Sequence, residues 1–295
     1  CLAFILLALA TPGIARAQLL LPGTGKLAEA ASDDFEDPTW FYYPNDPKGS
    51  KDVDGRRRAP VGRSKNRLWI EGNLRGHPDV VRQIATPPGG PYRSERALLL
   101  QSKYTGVPGR RGRESGQDDF VANVRSAVGG MVSIDHAPSV VCRVYLPPYE
   151  QWERRDGASF GFRATLMGHK RSGQPLEVYW PGIFIAHKVA RGGQPPSYYF
   201  ILRSLESGVD FRGPDIKQLG WWTLGMSFST DGQVHYFARP GADDLTASDY
   251  ITSHYCYGFK ARQFKSYFFD VFNAKDGESW TTPWVVDDCE VFFAR

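Results

Sequence analysis

The chain has 295 residues, of which 41% are hydrophobic and 14% aromatic, and its formal net charge is +4. This length and apolar content suit one large domain with its own core. The small excess of positive charge excludes a nucleic-acid-binding protein that depends on a strong overall field.

The N-terminal stretch has the features of a secretory signal peptide. An apolar run from Leu2 to Ala10 is followed by Ala15-Arg16-Ala17, the small-x-small pattern that signal peptidase cuts. The run is shorter than the about 20 residues that a membrane-spanning helix needs. We therefore expect a signal peptide over 1–17 with its charged start missing, and a secreted, periplasmic or cell-surface protein. Its removal would lower the net charge from +4 to +3, because Arg16 is its one charged residue.

Beyond the signal we expect a loose lead segment over 18–32 and a single domain over 33–295. Two segments rich in Pro, Gly and charge, near 44–67 and 104–119, predict surface loops. The first carries six basic residues and no acid between Arg56 and Arg67. A solvated insertion is the favoured interpretation, and an arm that touches an anionic surface is the alternative.

From Phe120 onward the dominant hydrophobic period is two, which is typical of strands with one buried face. The clearest unit is "WWTLGMSFSTDGQVHYFARPG", in which two alternating runs flank Asp231-Gly232. This pattern predicts a β-hairpin with a two-residue turn. Helical periodicity is almost absent and no βαβ rhythm occurs. The sequence therefore predicts an all-β fold, a two-sheet antiparallel β-sandwich or jelly roll.

The order of several motifs resembles the concanavalin A-like lectin and glucanase superfamily, which includes laminin-G-like modules. The motifs are "DDFED…W", "RALLLQS", the hairpin above and a closing "WVVDDCEVFF", and they span roughly residues 33 to 294. The resemblance implies a jelly roll with its first and last strands paired and a concave sheet that often holds saccharide. This superfold hosts lectins, hydrolases, lyases and structural modules, so fold alone does not settle function.

Strand alternation also gathers aromatic and basic residues on a candidate sugar-binding face. Aromatic rings stack on sugars, and Arg and His donate charge-assisted hydrogen bonds to acidic sugars. The predicted ligand-binding residues are Arg163, Tyr179, Tyr199, Arg203, Trp221, His235 and Arg239. The alternative is that these residues lie on two different sheets and merely cover the outside.

A fainter resemblance is to the alginate lyases of this fold, whose three motifs occur here in the same chain order. "YRSERA" contains Arg93, "GQVHYF" contains Gln233 and His235, and "KSYFFDVFNA" contains Tyr267. The resemblance implies that Arg93 and Gln233 neutralise a uronate carboxylate. His235 and Tyr267 would then move the protons of a β-elimination.

The chain departs from the third lyase motif at Phe269, Val271 and Asn273, which replace its lysine, glycine and second tyrosine. A glycoside hydrolase needs two carboxylates across the scissile bond, whereas Glu95 and Glu177 are isolated. We therefore predict a non-catalytic carbohydrate-binding or carbohydrate-associated module. The alternatives are a polysaccharide lyase acting on an acidic glycan and a structural envelope protein.

Two acidic pairs lie near the ends of the domain and predict a structural calcium site. Asp33 and Asp34 precede the first strand, and Asp287 and Asp288 interrupt the last. If those strands pair, the carboxylates converge, and hard oxygen ligands at that density suit calcium. The alternative is that the acids turn outward into solvent.

Three cysteines follow the signal segment: Cys142, Cys256 and Cys289. An odd number allows at most one disulfide within the chain, and the spacing does not choose the pair. Cys142 and Cys289 lie in apolar runs, where a small buried side chain is the ordinary interpretation.

Overall fold

A computed structural model describes residues 20–49, 55, 62–105 and 115–294. Two antiparallel sheets account for most of these residues and pack face to face around a hydrophobic core. The predicted two-sheet β-sandwich is therefore confirmed. The segment predicted as a signal peptide and part of each basic loop lie outside the described residues.

The described residues form nineteen strands. They are β1 Lys26–Leu27, β2 Tyr42–Tyr43, β3 Arg63–Ser64, β4 Trp69–Glu71, β5 Val80–Ala85, β6 Arg96–Gln101, β7 Gly116–Ala122, β8 Val132–Ser133, β9 Pro138–Leu146, β10 Gly157–His169, β11 Glu177–Tyr179, β12 Gly182–Lys188, β13 Ser197–Arg203, β14 Asp210–Ile216, β15 Gly220–Phe228, β16 Val234–Pro240, β17 Tyr250–His254, β18 Lys260–Asn273 and β19 Trp284–Phe293.

The smaller sheet has eight strands in the order β17-β16-β15-β9-β19-β6-β5, with β1 beside β19. The larger sheet has eleven strands in the order β14-β13-β12-β10-β18-β7-β4-β3-β2. Strand β11 pairs with β10 of this sheet, and β8 pairs with β18. Since non-consecutive strands are neighbours in both sheets, side chains distant in sequence share one face.

The helices of the described residues are short. Among them, one α-helix covers Val124–Ala127, and 3₁₀ turns cover Glu29–Ala31, Ile134–His136, Tyr149–Gln151, Ala247–Asp249 and Cys256–Gly258. In the described part of the chain, no helix has the length and apolar character needed to cross a membrane.

Aromatic side chains fill the space between the sheets because they occupy the inward positions of long alternating strands. Trp69 of β4 stacks on Phe120 of β7 with ring centroids 4.7 Å apart. Phe269 of β18 stacks on Trp69 at 5.6 Å and on Phe160 at 5.4 Å. Each fully buried ring of this kind contributes about 2 kcal/mol to folding. The core therefore fixes which residues of β7, β10 and β18 must point away from it.

The predicted hairpin is formed by β15 and β16, which pair from Trp222 opposite Pro240 to Phe228 opposite Val234. Its connection is longer than the two-residue turn expected, because it spans residues 229–233. Asp231 closes it by accepting hydrogen bonds at Oδ1 from Ser229 Oγ and from the Gln233 backbone N–H, at 2.5 and 3.1 Å.

The two ends of the domain meet along β19. Asp33 and Cys289 exchange two backbone hydrogen bonds of 2.9 Å, and β1 continues this pairing further along β19. Residues 26–31, within the segment expected to be a loose lead, thus form β1 and a 3₁₀ turn. The loop expected over 104–119 ends earlier, since β7 begins at Gly116.

Candidate functional site

The outer face of the larger sheet carries a groove, named here the outer groove, with a volume of about 660 Å³. Strands β4, β7, β10 and β18 supply its floor, because their inward positions are occupied by the core. Its apolar lining is Ile70, Leu74, Val121, Val178, Trp180 and Phe268. Its polar lining includes Asn73, Asn123, Arg125, Thr165, Lys265 and Ser266.

A smaller cavity of about 310 Å³ adjoins the outer groove and shares four of its residues: Leu74, Asp119, Trp180 and Phe268. It adds three arginines and a tyrosine: Arg75, Arg163, Arg203 and Tyr257. We call it the arginine cavity. Asp119 and Trp180 therefore lie where the outer groove meets a small cationic pocket.

Two carboxyl groups lie side by side on this face. Asp119 of β7 and Asp270 of β18 are opposite each other in the strand pairing. Burial raises the pKa of Asp119, and the neighbouring Asp270 carboxylate raises it further. In the described residues one Asp270 oxygen has no donor, so a proton shared with Asp119 would satisfy it. Asp119 therefore keeps its proton to a higher pH than a surface carboxylate does.

The arginines of the cavity are held by partners of their own. Arg163 Nη1 donates to Asp270 Oδ2 at 3.2 Å, and its Nη2 donates to the Trp180 carbonyl oxygen at 2.9 Å. Arg203 donates twice to Asp210, at 2.7 and 2.8 Å. These bonds fix the guanidinium groups in place, which preorganises them toward an anionic group entering the cavity.

Three predicted ligand-binding residues share the outer face of the larger sheet. Arg163 projects from β10, and Tyr199 and Arg203 project from β13, since Phe200 and Leu202 occupy the inward positions. Arg163 and Arg203 line the arginine cavity. Tyr199 is partly covered by Arg212, whose guanidinium carbon lies 3.9 Å from the ring centroid.

Tyr179 points the opposite way from the direction expected. It is opposite Leu166 in the β10–β11 pairing, and Leu166 is fully buried in the core. Because paired residues project to the same side of a sheet, Tyr179 is buried too, stacked on Phe259 at 4.8 Å. An outward Tyr179 implied that its neighbours Val178 and Trp180 face the core, whereas both line the outer groove.

The remaining predicted ligand-binding residues lie on the other sheet. Trp221 projects from β15, and His235 and Arg239 project from β16, all on the smaller sheet. Trp221 and His235 are buried, and Arg239 donates to Asp244 and Asp243 beside it. The seven residues therefore do not form one face, as the alternative interpretation had it.

The four residues of the lyase resemblance are not brought together. Arg93 lies in the connection between β5 and β6, and Gln233 and His235 lie at the start of β16. Strands β16 and β6 are four positions apart in the smaller sheet, or about 19 Å at the usual strand spacing. Tyr267 belongs to the larger sheet and points into the core, with its hydroxyl near the Ala31 and Cys289 carbonyl oxygens.

The isolated acids considered for a hydrolase also stay apart. Glu95 lies just before β6 beside Arg96 in the smaller sheet, whereas Glu177 is exposed on β11 of the larger one. They cannot flank one glycosidic bond, because the sandwich lies between them.

The acids at the domain ends approach each other but face different surroundings. Asp33 accepts hydrogen bonds from the indole N–H groups of Trp40 and Trp69 and from Asn66 Nδ2, at 2.8 to 3.0 Å. Asp287 Oδ2 accepts from Ser94 Oγ at 2.7 Å on the other side of the strand.

Asp34 and Asp288 complete the acids predicted to bind calcium. Asp34 accepts from the Glu36 backbone N–H, and Asp288 donates its own N–H to Asp287. Among the described residues, no three His, Cys, Asp or Glu side chains are arranged to hold a metal ion. A structural calcium stays a prediction. To bind Asp33, the ion would have to displace the hydrogen bonds from Trp40, Trp69 and Asn66. Thermal unfolding with and without a chelator tests it.

Sequence reasoning missed the residues that define the outer groove. Asp119 fell within the loop predicted over 104–119, because the two adjacent acids before Phe120 do not show the alternation of a strand. Asp270 lies in "YFFDVF", where aromatic residues occupy both parities and hide which face is buried. Trp180 was missed because the predicted outward position of Tyr179 placed its neighbour Trp180 toward the core.

No family model matches the chain, and no curated protein matches it. Among solved structures it is similar to the endo-β-1,4-glucuronan lyase of the fungus Trichoderma reesei, with 12% identity over 86% of this chain and 94% of that chain and a TM-score of 0.40. It is also similar to an alginate lyase of Pseudomonas aeruginosa, with 9% identity, coverage of 68% and 80%, and a TM-score of 0.36.

A third similar structure is the globular domain of T. cruzi calreticulin, with 11% identity, coverage of 76% and 83%, and a TM-score of 0.34. Likenesses at this level do not indicate what this chain binds. The fold rests on the two sheets described above, and the function rests on the outer groove.

Proposed function

We propose that this protein binds an anionic polysaccharide in the outer groove. The observation that carries the proposal is the groove itself, about 660 Å³ of open space with an aromatic and apolar floor and cationic side chains beside it. A polysaccharide needs a long, open surface, whereas a small metabolite needs an enclosed cavity.

Trp180 and Phe268 supply the apolar contact. Trp180 is half-buried at the junction with the arginine cavity, and Phe268 forms part of the floor on β18. A sugar ring has an apolar face of C–H groups that packs against an aromatic ring, while its hydroxyls point sideways. Asn73 and Asn123 line the same groove and have both donors and acceptors for those hydroxyls.

Charge favours an acidic polymer. Five cationic side chains line the two cavities: Arg75, Arg125, Arg163, Arg203 and Lys265. Asp119, Asp270 and Asp210 lie beside Arg75, Arg163 and Arg203, respectively. Among the described residues no acid forms an ion pair with Arg125 or Lys265, so the groove keeps their two positive charges. A row of uronate groups would therefore be attracted, and a neutral glucan would not.

The direct test compares polymers of equal length and different charge. Binding of the full chain is measured by calorimetry with alginate, glucuronan and polygalacturonate, and with an uncharged β-glucan as the neutral polymer. We expect binding to the acidic polymers that weakens as salt rises, because screening shortens the range of the charge interactions. Equal affinity for the neutral polymer, or no binding at all, would contradict the proposal.

Lys265 provides the matched variant. Lys265→Glu reverses one charge at the groove wall, and we expect about tenfold weaker binding to the acidic polymers. The control is Lys188→Glu, which makes the same change at an exposed end of β12. If both variants weaken binding equally, the effect comes from net charge and the groove is not the site.

Eliminative cleavage of the same polymer is a second candidate function, favoured by the residues at the junction of the two cavities. Arg75 and Arg163 could neutralise the uronate carboxylate. Asp119 in its ionised form could accept the C5 proton, and the Tyr257 hydroxyl could give a proton to the leaving oxygen. The C4–O bond would break as the C4=C5 double bond forms.

Ultraviolet absorbance of the unsaturated uronate reports this cleavage. If the protein is a lyase, Tyr257→Phe abolishes the absorbance increase and leaves binding nearly unchanged. His235→Gln leaves both unchanged, because His235 is buried on the other sheet. An activity that requires His235 and tolerates Tyr257→Phe would reject this arrangement. Binding without any absorbance increase leaves the binding proposal standing alone.

A further inference from the structure

Two cysteines meet inside the core, on neighbouring strands of the smaller sheet. Cys142 of β9 and Cys289 of β19 are both fully buried, and their Sγ atoms lie 3.2 Å apart. The two residues are separated by 147 positions in sequence. No other described residue lies between the sulfurs, so the fold brings two distant thiols into direct contact.

The strand pairing explains this contact. Asp287 is opposite Arg143, and Glu290 is opposite Val141, with an irregularity in the register between them. The extra residue of this bulge lets Cys289 face inward on the same side as Cys142. Opposite residues of antiparallel strands have Cα atoms about 4.5 to 5.5 Å apart, which lies within the range that a disulfide spans.

We propose that Cys142 and Cys289 form a disulfide bond in the mature protein. A disulfide has an S–S distance of about 2.05 Å, so the sulfurs must approach by about 1.1 Å. Rotations about the two Cα–Cβ bonds cover that distance without moving the strands. The bond is independent of the proposed polysaccharide binding, because it joins strands of the other sheet.

The reaction needs an oxidant of the disulfide class, either oxidised glutathione or the disulfide of an oxidoreductase. One thiolate attacks that disulfide, forms a mixed disulfide and releases one thiol. The second thiolate then attacks the mixed disulfide and releases the other thiol, so two electrons and two protons leave the chain. Both sulfurs are inaccessible in the folded protein, and oxidation therefore precedes closure of the sandwich.

Cys256 is the residue expected to stay reduced. It lies in the 3₁₀ turn Cys256–Gly258, is fully buried, and donates its thiol to the Arg203 carbonyl oxygen at 2.9 Å. Burial raises the pKa of this thiol to about 12. Its thiolate would be scarce at neutral pH, which disfavours exchange with an external disulfide.

The test maps the sulfurs in the chain from residue 18 onward, the expected mature form, which lacks Cys1 and contains three cysteines. Reduced, unfolded protein is refolded in a mixture of reduced and oxidised glutathione, then alkylated in denaturant and digested. We expect one alkylated cysteine, Cys256, and a linked peptide pair containing Cys142 and Cys289. Three alkylated thiols, or a link that involves Cys256, would overturn the proposal.

Variants keep the test independent of any single folding failure. Cys256→Ala should retain the cross-link and contain no free thiol, whereas two free thiols in this variant would overturn the proposal. In the wild type, reduction of the bond should lower the melting temperature by on the order of 10 °C, because the bond closes a long loop. Reduction should leave Cys142→Ala unaffected.

Discussion

The outer faces of the two sheets differ in what lies over them. On the smaller sheet, Leu21 of the N-terminal segment packs against a cluster of Val141, Phe237 and Leu245. The Ser227 hydroxyl donates to the Leu20 carbonyl oxygen at the same place. On the larger sheet, the described chain leaves the outer groove open above β7, β10 and β18.

Strand alternation predicts one part of this difference and not the other. Alternation tells which side chains point away from the core, and on both sheets those positions hold polar and aromatic residues. It does not tell whether a further segment covers them. We infer that the covered face serves stability and the open face serves binding, and the following four predictions test that division.

The largest expected effect is on stability, at Trp221 of the covered face. Its ring packs on Tyr145 at 5.5 Å between centroids, and its indole N–H donates to the Pro87 carbonyl oxygen. We expect Trp221→Ala to lower the free energy of unfolding by about 3 to 5 kcal/mol. Chemical denaturation measures the loss.

Trp180→Ala is the comparison for that experiment, since Trp180 lies half-buried in the outer groove. We expect it to cost only about 1 kcal/mol of unfolding free energy. Equal losses for Trp221→Ala and Trp180→Ala would remove the distinction between the covered and the open face.

The second prediction concerns a buried acid of the covered face. Burial raises the pKa of Asp287 to about 7, and the Asp288 and Glu36 carboxylates add to the effect, against the hydrogen bond from Ser94. The folded-state pKa exceeds the unfolded one, so the folded state holds more protons between about pH 4 and 7. Stability should therefore fall as the pH rises through that window, by at most about 4 kcal/mol.

Asp287→Asn should flatten this dependence, because an amide keeps a contact with Ser94 and carries no charge. Asp276 offers a control of opposite sign. Hydrogen bonds from Ser279 and Glu278 lower its pKa to about 2, so its contribution is lost only as the pH falls toward 2. Chemical denaturation from pH 4 to 8 measures how the free energy of unfolding depends on pH. The same dependence in Asp287→Asn as in the wild type would contradict its assignment to Asp287.

Much of the fold could be predicted from the sequence, because it depends on local alternation. The hairpin of β15 and β16, the sandwich and the outward position of Arg163 all follow from a period of two. The pairing of the two ends of the domain at Asp33 and Cys289 followed from two observations. The two ends have similar acidic sequences, and the order of the motifs resembles that of a known superfamily. Each of these inferences needed only neighbours in sequence or a known topology.

The site could not be predicted in the same way, because it depends on which strands are neighbours. Asp119 and Asp270 are paired through β7 and β18, 151 positions apart by their residue numbers. The prediction that Tyr179 points outward was wrong because β11 has only three residues, too few for alternation to show which face is buried. The prediction for His235 failed because alternation does not show that this outward position is buried. Its cross-strand partner Ser227 contacts Leu20, 207 positions away in sequence.

The third prediction concerns the groove itself. We expect Trp180→Ala to weaken binding of an acidic polysaccharide by about tenfold or more, since a stacked ring commonly contributes 1 to 2 kcal/mol. The matched control is Trp280→Ala, because Trp280 is 44% exposed and lies outside the groove. Calorimetric titration of both variants measures the difference. Greater loss in Trp280→Ala would move the binding site away from the outer groove.

The smallest expected effect is at Arg125, which is exposed at the groove rim. A solvated charge contributes roughly 0.2 to 1 kcal/mol, so Arg125→Ala should weaken binding only about two- to fivefold. The loss should disappear in high salt, whereas the loss in Trp180→Ala should persist, because apolar contact is not screened. Arg191→Ala removes an exposed arginine away from the groove and should leave binding unchanged. An Arg125 effect that survives high salt would mean that this side chain is buried by the ligand, and that the binding surface extends beyond the groove onto the helix Val124–Ala127.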